Sequence, residues 1–333
     1  MGLIYSIFSR FKWFFSGIAA AFKWLVGYLY AAINIFVPRD CIICSKELRL
    51  FEKHLCTSCL ADIPLSYSHL YSRSSAEELF YGRVKAEFVL PLMIYRGEYK
   101  RCLFSIKYKG NKGLGIALGK MLGNTLLSLL SDRFSSSATT PPPIDYIVPV
   151  PLHWRKRIKR GYNQAHIIAQ GIVKSYRQRG CKPPVILHSL IRRRAFTATQ
   201  TTKDRFERWR NVASAFQINR KALKHLEHLE HLRELQCLQN LQNLQNLQNL
   251  QPCSSNIQAG TQKAPHHSTN AASTAHTINT IQKTNAPQRG IPHFLIVDDV
   301  LTTGATIEAC AQVLLHSLPF PCRLSIATLA YVP

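Results

Sequence analysis

Apolar residues along most of this chain fall either into short continuous runs or into helical spacings. The run from Glu87 to Tyr95 reads as a buried strand, and the spacing over Glu98–Lys107 and Gly113–Leu130 reads as two helices. Asp145–Val150 is a second short strand, and Tyr162–Tyr176 sets Ile167, Ile168 and Ile172 at helical intervals. Near the end come a strand run at Phe294–Val297, a helix from about Ala305 to His316, and a last apolar run at Leu324–Val332. Strands alternating with helices predict an α/β fold, an open and mostly parallel sheet flanked by helices.

Three stretches break the pattern. Ser135–Pro143 (SSSATTPPP) reads as a loop. From Leu223 to Leu250 a leucine recurs every third residue, first as LEHLEH and then as LQN repeats. A period of three matches neither 3.6 nor 3.5, so on an α-helix the leucines would wind around the surface instead of forming one zipper seam. The stretch that follows, to about Gln288, is Ser/Thr/Asn/Gln-rich with little to bury, and 221–289 is expected to be a low-complexity, disordered insertion, either functionally neutral or a tether for a partner. Residues 1–36 are aromatic-rich, basic at Arg10, Lys12 and Lys23, and free of acids. They fit an amphipathic helix packed on the protein or lying on a membrane surface, or a span if Lys23 is tolerated. Lys23 interrupts the apolar core that an export signal needs.

Charge changes the picture more than composition does. The 333 residues are 46% hydrophobic and 18% charged, which excludes a wholly disordered or collagen-like chain. The net charge is +24, and fourteen of those positive charges lie between Ile144 and Arg220, where seventeen Lys and Arg face three acids. Such a field attracts phosphates, nucleic acid or anionic lipid without choosing among them.

Two motifs carry chemistry. Cys41, Cys44, Cys56 and Cys59 form C-x2-C-x11-C-x2-C, two knuckles that supply four thiolates for a structural Zn²⁺; disulfides or unrelated thiols are the competing reading. The second motif is LIVDDVLTTGAT. Its loop, Leu301, Thr302, Thr303, Gly304, Ala305 and Thr306, lies where backbone N–H groups and a helix N-terminus converge, an anion cradle. Asp298 and Asp299 stand at the carboxyl end of the strand, placed to accept hydrogen bonds from vicinal ribose hydroxyls directly or through Mg²⁺. Phosphate donors beside carboxylate acceptors suit a sugar phosphate. Upstream, Arg157, Lys159, Arg160, Gly161, Asn163 and Gln164 follow the stiff Val148–Pro151 strand end, with Gly161 opening the next helix, and put cations at the sheet's carboxyl edge for a diphosphate.

LIVDDVLTTGAT resembles the 5-phosphoribosyl 1-pyrophosphate (PRPP) motif of type I phosphoribosyltransferases. VPVP (Val148–Pro151), Arg160-Gly161-Tyr162-Asn163-Gln164, the set Arg193/Thr197/Gln200, and Arg208/Asn211/Val212/Ala215/Phe216 are similar to segments of the ComF family, and IKYKG (Ile106–Gly110) resembles its lysine-glycine turn. The resemblance covers roughly 24–220 and 290–333. It implies a type I phosphoribosyltransferase-like domain at 85–220 and 290–333, preceded by a zinc-finger-like module at 37–65. It also implies that the two acids hold the ribose of Mg·PRPP and that the TTGAT loop holds its 5-phosphate. Arg193, Thr197, Gln200 and Arg208 are expected to approach the site in a flexible loop or hood. The implied reaction displaces pyrophosphate from the anomeric carbon through an oxocarbenium-like state. No obvious general base sits beside the motif; His153 and His166 are candidates, each set against the structural role that a lone histidine more often has.

Two functions follow as expectations. One is a cytoplasmic PRPP-dependent transferase with an open acceptor, linked to DNA uptake. The other is a non-catalytic single-stranded DNA-binding competence factor in which PRPP, or a related sugar phosphate, regulates. Peripheral membrane contact through 1–36 fits either.

Overall fold

The computed structural model describes residues 39–66, 75–134, 144–194, 215–249 and 291–333. The N-terminal region 1–36, the Ser135–Pro143 loop, and Thr197, Gln200 and Arg208 of the expected hood lie outside the described residues.

Five strands form one parallel sheet: β1 (Val89–Ile94), β2 (Tyr146–Pro149), β3 (Val185–Ile186), β6 (His293–Leu301) and β7 (Arg323–Tyr331), in the order β1-β7-β6-β2-β3. A separate antiparallel ribbon pairs β4 (Ile191–Arg193) with β5 (Phe216–Ile218). The helices are α1 (Thr57–Ala61), α2 (Ser75–Glu78), α3 (Lys100–Tyr108), α4 (Lys112–Phe134), α5 (Trp154–Arg160), α6 (Gln164–Gln178), α7 (Arg220–Asn249) and α8 (Ala305–Ser317).

The strands are buried on both faces, as parallel strands must be. Leu90, Leu92, Ile147, Leu295, Val297 and Leu329 pack on the side of α4 and α6, while Val89, Tyr146, Val148, Phe294, Ile296 and Ile326 pack on the side of α8 and the β4–β5 ribbon. One glycine pair explains how closely α4 and α6 approach: a Cβ on Gly171 would lie 2.7 Å from the Gly119 Cα. The stretch Lys112–Asp132 of α4 is long and apolar enough to cross a membrane, with mean hydropathy 1.3, and half of it is buried inside the molecule.

From β6 the chain crosses through α8 to β7, whereas from β2 it crosses through α6 to β3, on the opposite side. The sheet's connections therefore diverge between β6 and β2, the switch point at which open α/β sheets leave a crevice beyond their carboxyl ends. Register deepens that crevice. β2 pairs with β6 only as far as Pro149 opposite Val297, while β7 accompanies β6 to Leu301 opposite Tyr331. Asp298 to Leu301 thus overhang the end of β2.

The first part of the expected low-complexity insertion is helical. Residues 221–249 belong to α7, a thirty-residue helix. Its start packs through Ala222, Leu223 and fully buried Leu226. One turn later the same face carries charge: Tyr146 donates its hydroxyl to Glu230, and Arg233 reaches Asp145 at 2.6 Å and Glu230 at 3.4 Å. On the other side of the helix Leu232, Leu235 and Leu238 are exposed, as a three-residue period on an α-helix dictates. Residues 250–289 of that insertion lie outside the described residues.

Candidate functional site

The crevice between β6 and β2 is a cleft of about 430 Å³. Asp298, Asp299, Thr302 and Thr306 line it from β6 and the following loop, Arg160, Asn163 and Gln164 from the α5–α6 junction, Arg193 from β4, and Lys107 from α3. Tyr95, Val150, Pro151, Leu152 and Val332 supply a less polar wall from the ends of β1, β2 and β7.

The loop after β6 turns sharply because Gly304 sits at φ 77°, a left-handed conformation that costs glycine little. It is the N-cap residue of α8, and its carbonyl accepts from the Glu308 amide at 2.8 Å. Phe80 covers the other side of Gly304, where a Cβ would lie 3.1 Å from the ring. Arg83 pins this covering segment by a 3.0 Å ion pair to buried Glu308 on α8. Leu301 is fully buried, and its carbonyl accepts from the Val332 amide, so it positions the loop from the core. Thr303, Gly304 and Ala305 shape the turn without lining the cleft.

Successive residues on a strand face opposite ways, and the acid pair uses this. Asp299 takes Lys107 Nζ at 3.1 Å from the α3 side, and its own amide donates to Asp298 Oδ1 at 2.8 Å. Asp298 feels Arg193 and Cys310 on the other side. Burial and the neighbouring Asp299 charge push the Asp298 carboxyl up to about 7, against the opposing pull of its amide bond, Lys107 and Arg193.

Cations crowd the rest of the cleft. Arg193 lies over the Phe216 ring at 5.2 Å, and burial lowers its basicity. Lys156 on α5, next to the cleft but not in its lining, is depressed by burial and by the charges of Arg193, Arg160 and Lys107. Four like charges drawn this close repel one another, and a bound polyanion would relieve the repulsion. Gln164 is 2% exposed; its Oε1 accepts from Arg160 at 3.1 Å, while its Nε2 has no partner. A buried donor without an acceptor costs free energy that a ligand oxygen would recover.

The α5–α6 junction differs in detail from the expectation. Gly161 does not open α6. It closes the short helix α5 in the left-handed region at φ 76°, and Asn163 caps α6 by accepting from the Ala165 amide at 3.1 Å. The Asn163 amide also donates to the Val150 carbonyl at 2.9 Å, tying the end of β2 to the start of α6. Arg157 and Lys159 sit on α5 but do not line the cleft, because helical periodicity turns only Arg160 of the three inward. His153 and His166 do not line it either; His153 is buried and caps α5 through Nδ1. The sequence reading missed Lys107 as a partner of the acids, although IKYKG marked its position.

The four cysteines come together. The sulfurs of Cys41, Cys44, Cys56 and Cys59 all lie within 4.8 Å of one another, and none of the four is bridged in the structure. A tetrahedral metal with sulfur bonds of about 2.3 Å needs sulfurs about 3.8 Å apart, which this cluster fits. The Cys56 amide donates to Cys41 Sγ and the Cys59 amide to Cys56 Sγ, as zinc knuckles do. Buried Glu52 braces the second knuckle by accepting from the Thr57 amide and hydroxyl, both at 2.6 Å, and from the Arg49 amide at 2.9 Å. These bonds, that of the Thr57 hydroxyl foremost, hold its carboxyl below the usual carboxylate range. A Zn²⁺ here would be structural, since four protein ligands leave no open position.

No protein-family model matches the chain, and no curated protein matches it.

Proposed function

We propose that the cleft binds PRPP in the manner of type I phosphoribosyltransferases, and that the chain is a ComF-like protein linked to DNA uptake. The observation that carries this reading is the meeting, at the switch point of the sheet, of the Asp298–Asp299 pair and the Leu301–Thr306 turn with Lys107, Lys156, Arg160 and Arg193. The carboxylates suit ribose hydroxyls and the Mg²⁺ that travels with PRPP. The turn suits a 5-phosphate, and the cations suit a diphosphate. In catalysis the chain's task is to hold both phosphate ends and to stabilise the charge that leaves with pyrophosphate as the anomeric bond breaks. The acceptor would enter along the wall of Tyr95, Val150, Leu152 and Val332. The test is calorimetric titration of Mg·PRPP, followed by a screen of nucleobases, nucleosides and single-stranded DNA for pyrophosphate release. Absence of Mg·PRPP binding would overturn the reading.

A second reading, single-stranded nucleic-acid binding with PRPP as regulator, is favoured by the surface beside the cleft. Phe104, Tyr108, Trp154 and Ile158 are exposed there, Arg160 lies over Tyr108 at 5.3 Å, and Arg155 lies over Trp154 at 5.2 Å. Exposed rings among cations offer stacking platforms and phosphate contacts together. Steeply salt-dependent binding of single-stranded DNA that survives Asp299→Asn would favour this reading over the enzyme. Peripheral membrane contact through 1–36 in the cytoplasm is compatible with both readings, and co-flotation with liposomes tests it.

A further inference from the structure

One short helix connects the four-cysteine module to the cleft. At its start, the Tyr99 hydroxyl donates to the Cys59 carbonyl at 3.1 Å, and Arg101 donates to the Ile43 carbonyl at 3.0 Å. Ile43 lies inside the first knuckle, between Cys41 and Cys44, and Cys59 closes the second. α3 therefore grips one carbonyl from each knuckle. Between them Cys102, 1% exposed, is buried within electrostatic reach of Cys41. At the other end of α3, two turns on, Lys107 pairs with Asp299 at 3.1 Å, and the Ile106 carbonyl accepts the Tyr162 hydroxyl. The helix rises about 12 Å between Tyr99 and Lys107.

The module's buried side chains, Ile43, Leu48, Leu55 and Ile63, join the main core beside Leu103 and Ile106 instead of forming a core between the two knuckles. Its knuckles are joined to each other by the Ile42 amide donating to the His54 carbonyl, by the Cys56 amide on Cys41 Sγ, and by whatever the four sulfurs share. A metal ion supplies most of the cross-linking in a module this small. Ile43 and Cys59 also pack in one buried cluster with Cys102, Leu103 and Ile106 of α3, so without the ion that packing alone is left to keep the two carbonyls in register for the two-point anchor.

We propose that metal loading of the four-cysteine module sets the position of Lys107 in the cleft, with α3 as the connecting rod. The module then governs how well the cleft holds a phosphorylated ligand, and that last step rests on the function proposed above. Lys107 is a positioning residue here. In the metal-loaded state it neutralises Asp299 and keeps the acid pair set beside the cation cluster. In the metal-free state it is released, and the carboxylates face the incoming phosphates unscreened.

The test reads Lys107 directly. The zinc-loaded full chain is treated with an amine-acylating ester, and labelling of Lys107 is followed by mass spectrometry before and after zinc is stripped with a strong chelator, with circular dichroism to monitor folding. Labelling is expected to speed up roughly tenfold on stripping, as local opening of α3 requires. A Tyr99→Phe/Arg101→Ala double variant, with its zinc content checked by elemental analysis, is expected to show the same acceleration with the metal still bound. Its Kd for Mg·PRPP is expected to weaken roughly tenfold through loss of one ordered charged contact. Equal labelling rates in loaded chain and double variant would overturn the proposal, and the double variant decides the matter if the stripped chain unfolds. If labelling responds but the zinc-loaded wild-type chain does not bind Mg·PRPP, the coupling stands and the ligand assignment falls.

Discussion

Lys107 Nζ stands 3.1 Å from Asp299 Oδ2, with both side chains mostly buried. The cleft thus carries a built-in counter-ion for one of two adjacent carboxylates, and the pair can separate only by leaving a charge uncompensated in a place poor in water. Asp299→Asn is expected to abolish Mg·PRPP binding in calorimetry while leaving the fold intact. Lys107→Ala is expected to weaken binding roughly ten- to hundredfold, the worth of one charged hydrogen bond. Unchanged affinity in both variants would remove the acid pair from the site.

How much of this could be read from the sequence follows from how local each feature is. The acid pair and the turn from Asp298 to Thr306 are contiguous, so a strand, a loop and a helix start announce themselves in one stretch. The cations do not. Lys107 on α3, Lys156 and Arg160 on α5, and Arg193 on the β4–β5 ribbon lie far apart in the chain, and only tertiary packing brings them together. Gly161 was open to misreading because a glycine before Asn163 fits either the end of one helix or the start of the next; the left-handed φ decides for the end. The leucine repeat hid the anchoring of α7, since what fixes its middle is a buried carboxylate and an arginine, residue types expected in solvent.

Glu230 tests that anchor. It is 4% exposed and accepts the Tyr146 hydroxyl, while Arg233 bridges it to Asp145. Asp145 in turn accepts the His293 amide at 2.9 Å, so the cluster ties α7 to the amino ends of β2 and β6. Glu230→Ala leaves a buried hydroxyl and a guanidinium short of a partner, and is expected to cost about 2–4 kcal/mol in urea denaturation. Leu232→Ser on the exposed side is expected to change stability by less than about 0.5 kcal/mol. Similar small losses in both variants would show that α7 is not held at this point.

His293 sets a pH dependence. It is 1% exposed, with Nε2 2.8 Å from Ser325 Oγ, and burial followed by the Arg323 charge pushes it down to about 4, with Glu87 opposing. An unfolded histidine binds its proton near 6.5. Between these values the unfolded chain holds more protons than the folded one, so the contribution is complete above about pH 6.5 and is lost as the pH falls towards 4. Between pH 7.5 and 5 the expected loss is about 2 kcal/mol. His293→Gln is expected to flatten this slope in denaturation curves at the two pH values, and an unchanged slope would assign the acid sensitivity elsewhere.

Gly304 separates two costs in the turn beside the acid pair. A side chain there meets the Phe80 ring 3.1 Å from its Cβ, and it must also adopt φ 77°. The first cost is steric and belongs to the neighbour; the second is conformational and belongs to the residue itself. Gly304→Ala is expected to destabilise the chain by about 1–3 kcal/mol and to weaken Mg·PRPP binding, because the loop amides shift with the strain. Phe80→Ala opens space over the turn at its own cavity cost, so the informative quantity is the coupling between the two changes. If crowding dominates, Gly304→Ala costs about 1 kcal/mol less in the Phe80→Ala background than alone. If the left-handed backbone dominates, the two costs add, and the binding loss persists in the double variant. Additivity of stability combined with full recovery of Mg·PRPP affinity would contradict both, since neither source of strain could then be what displaces the loop.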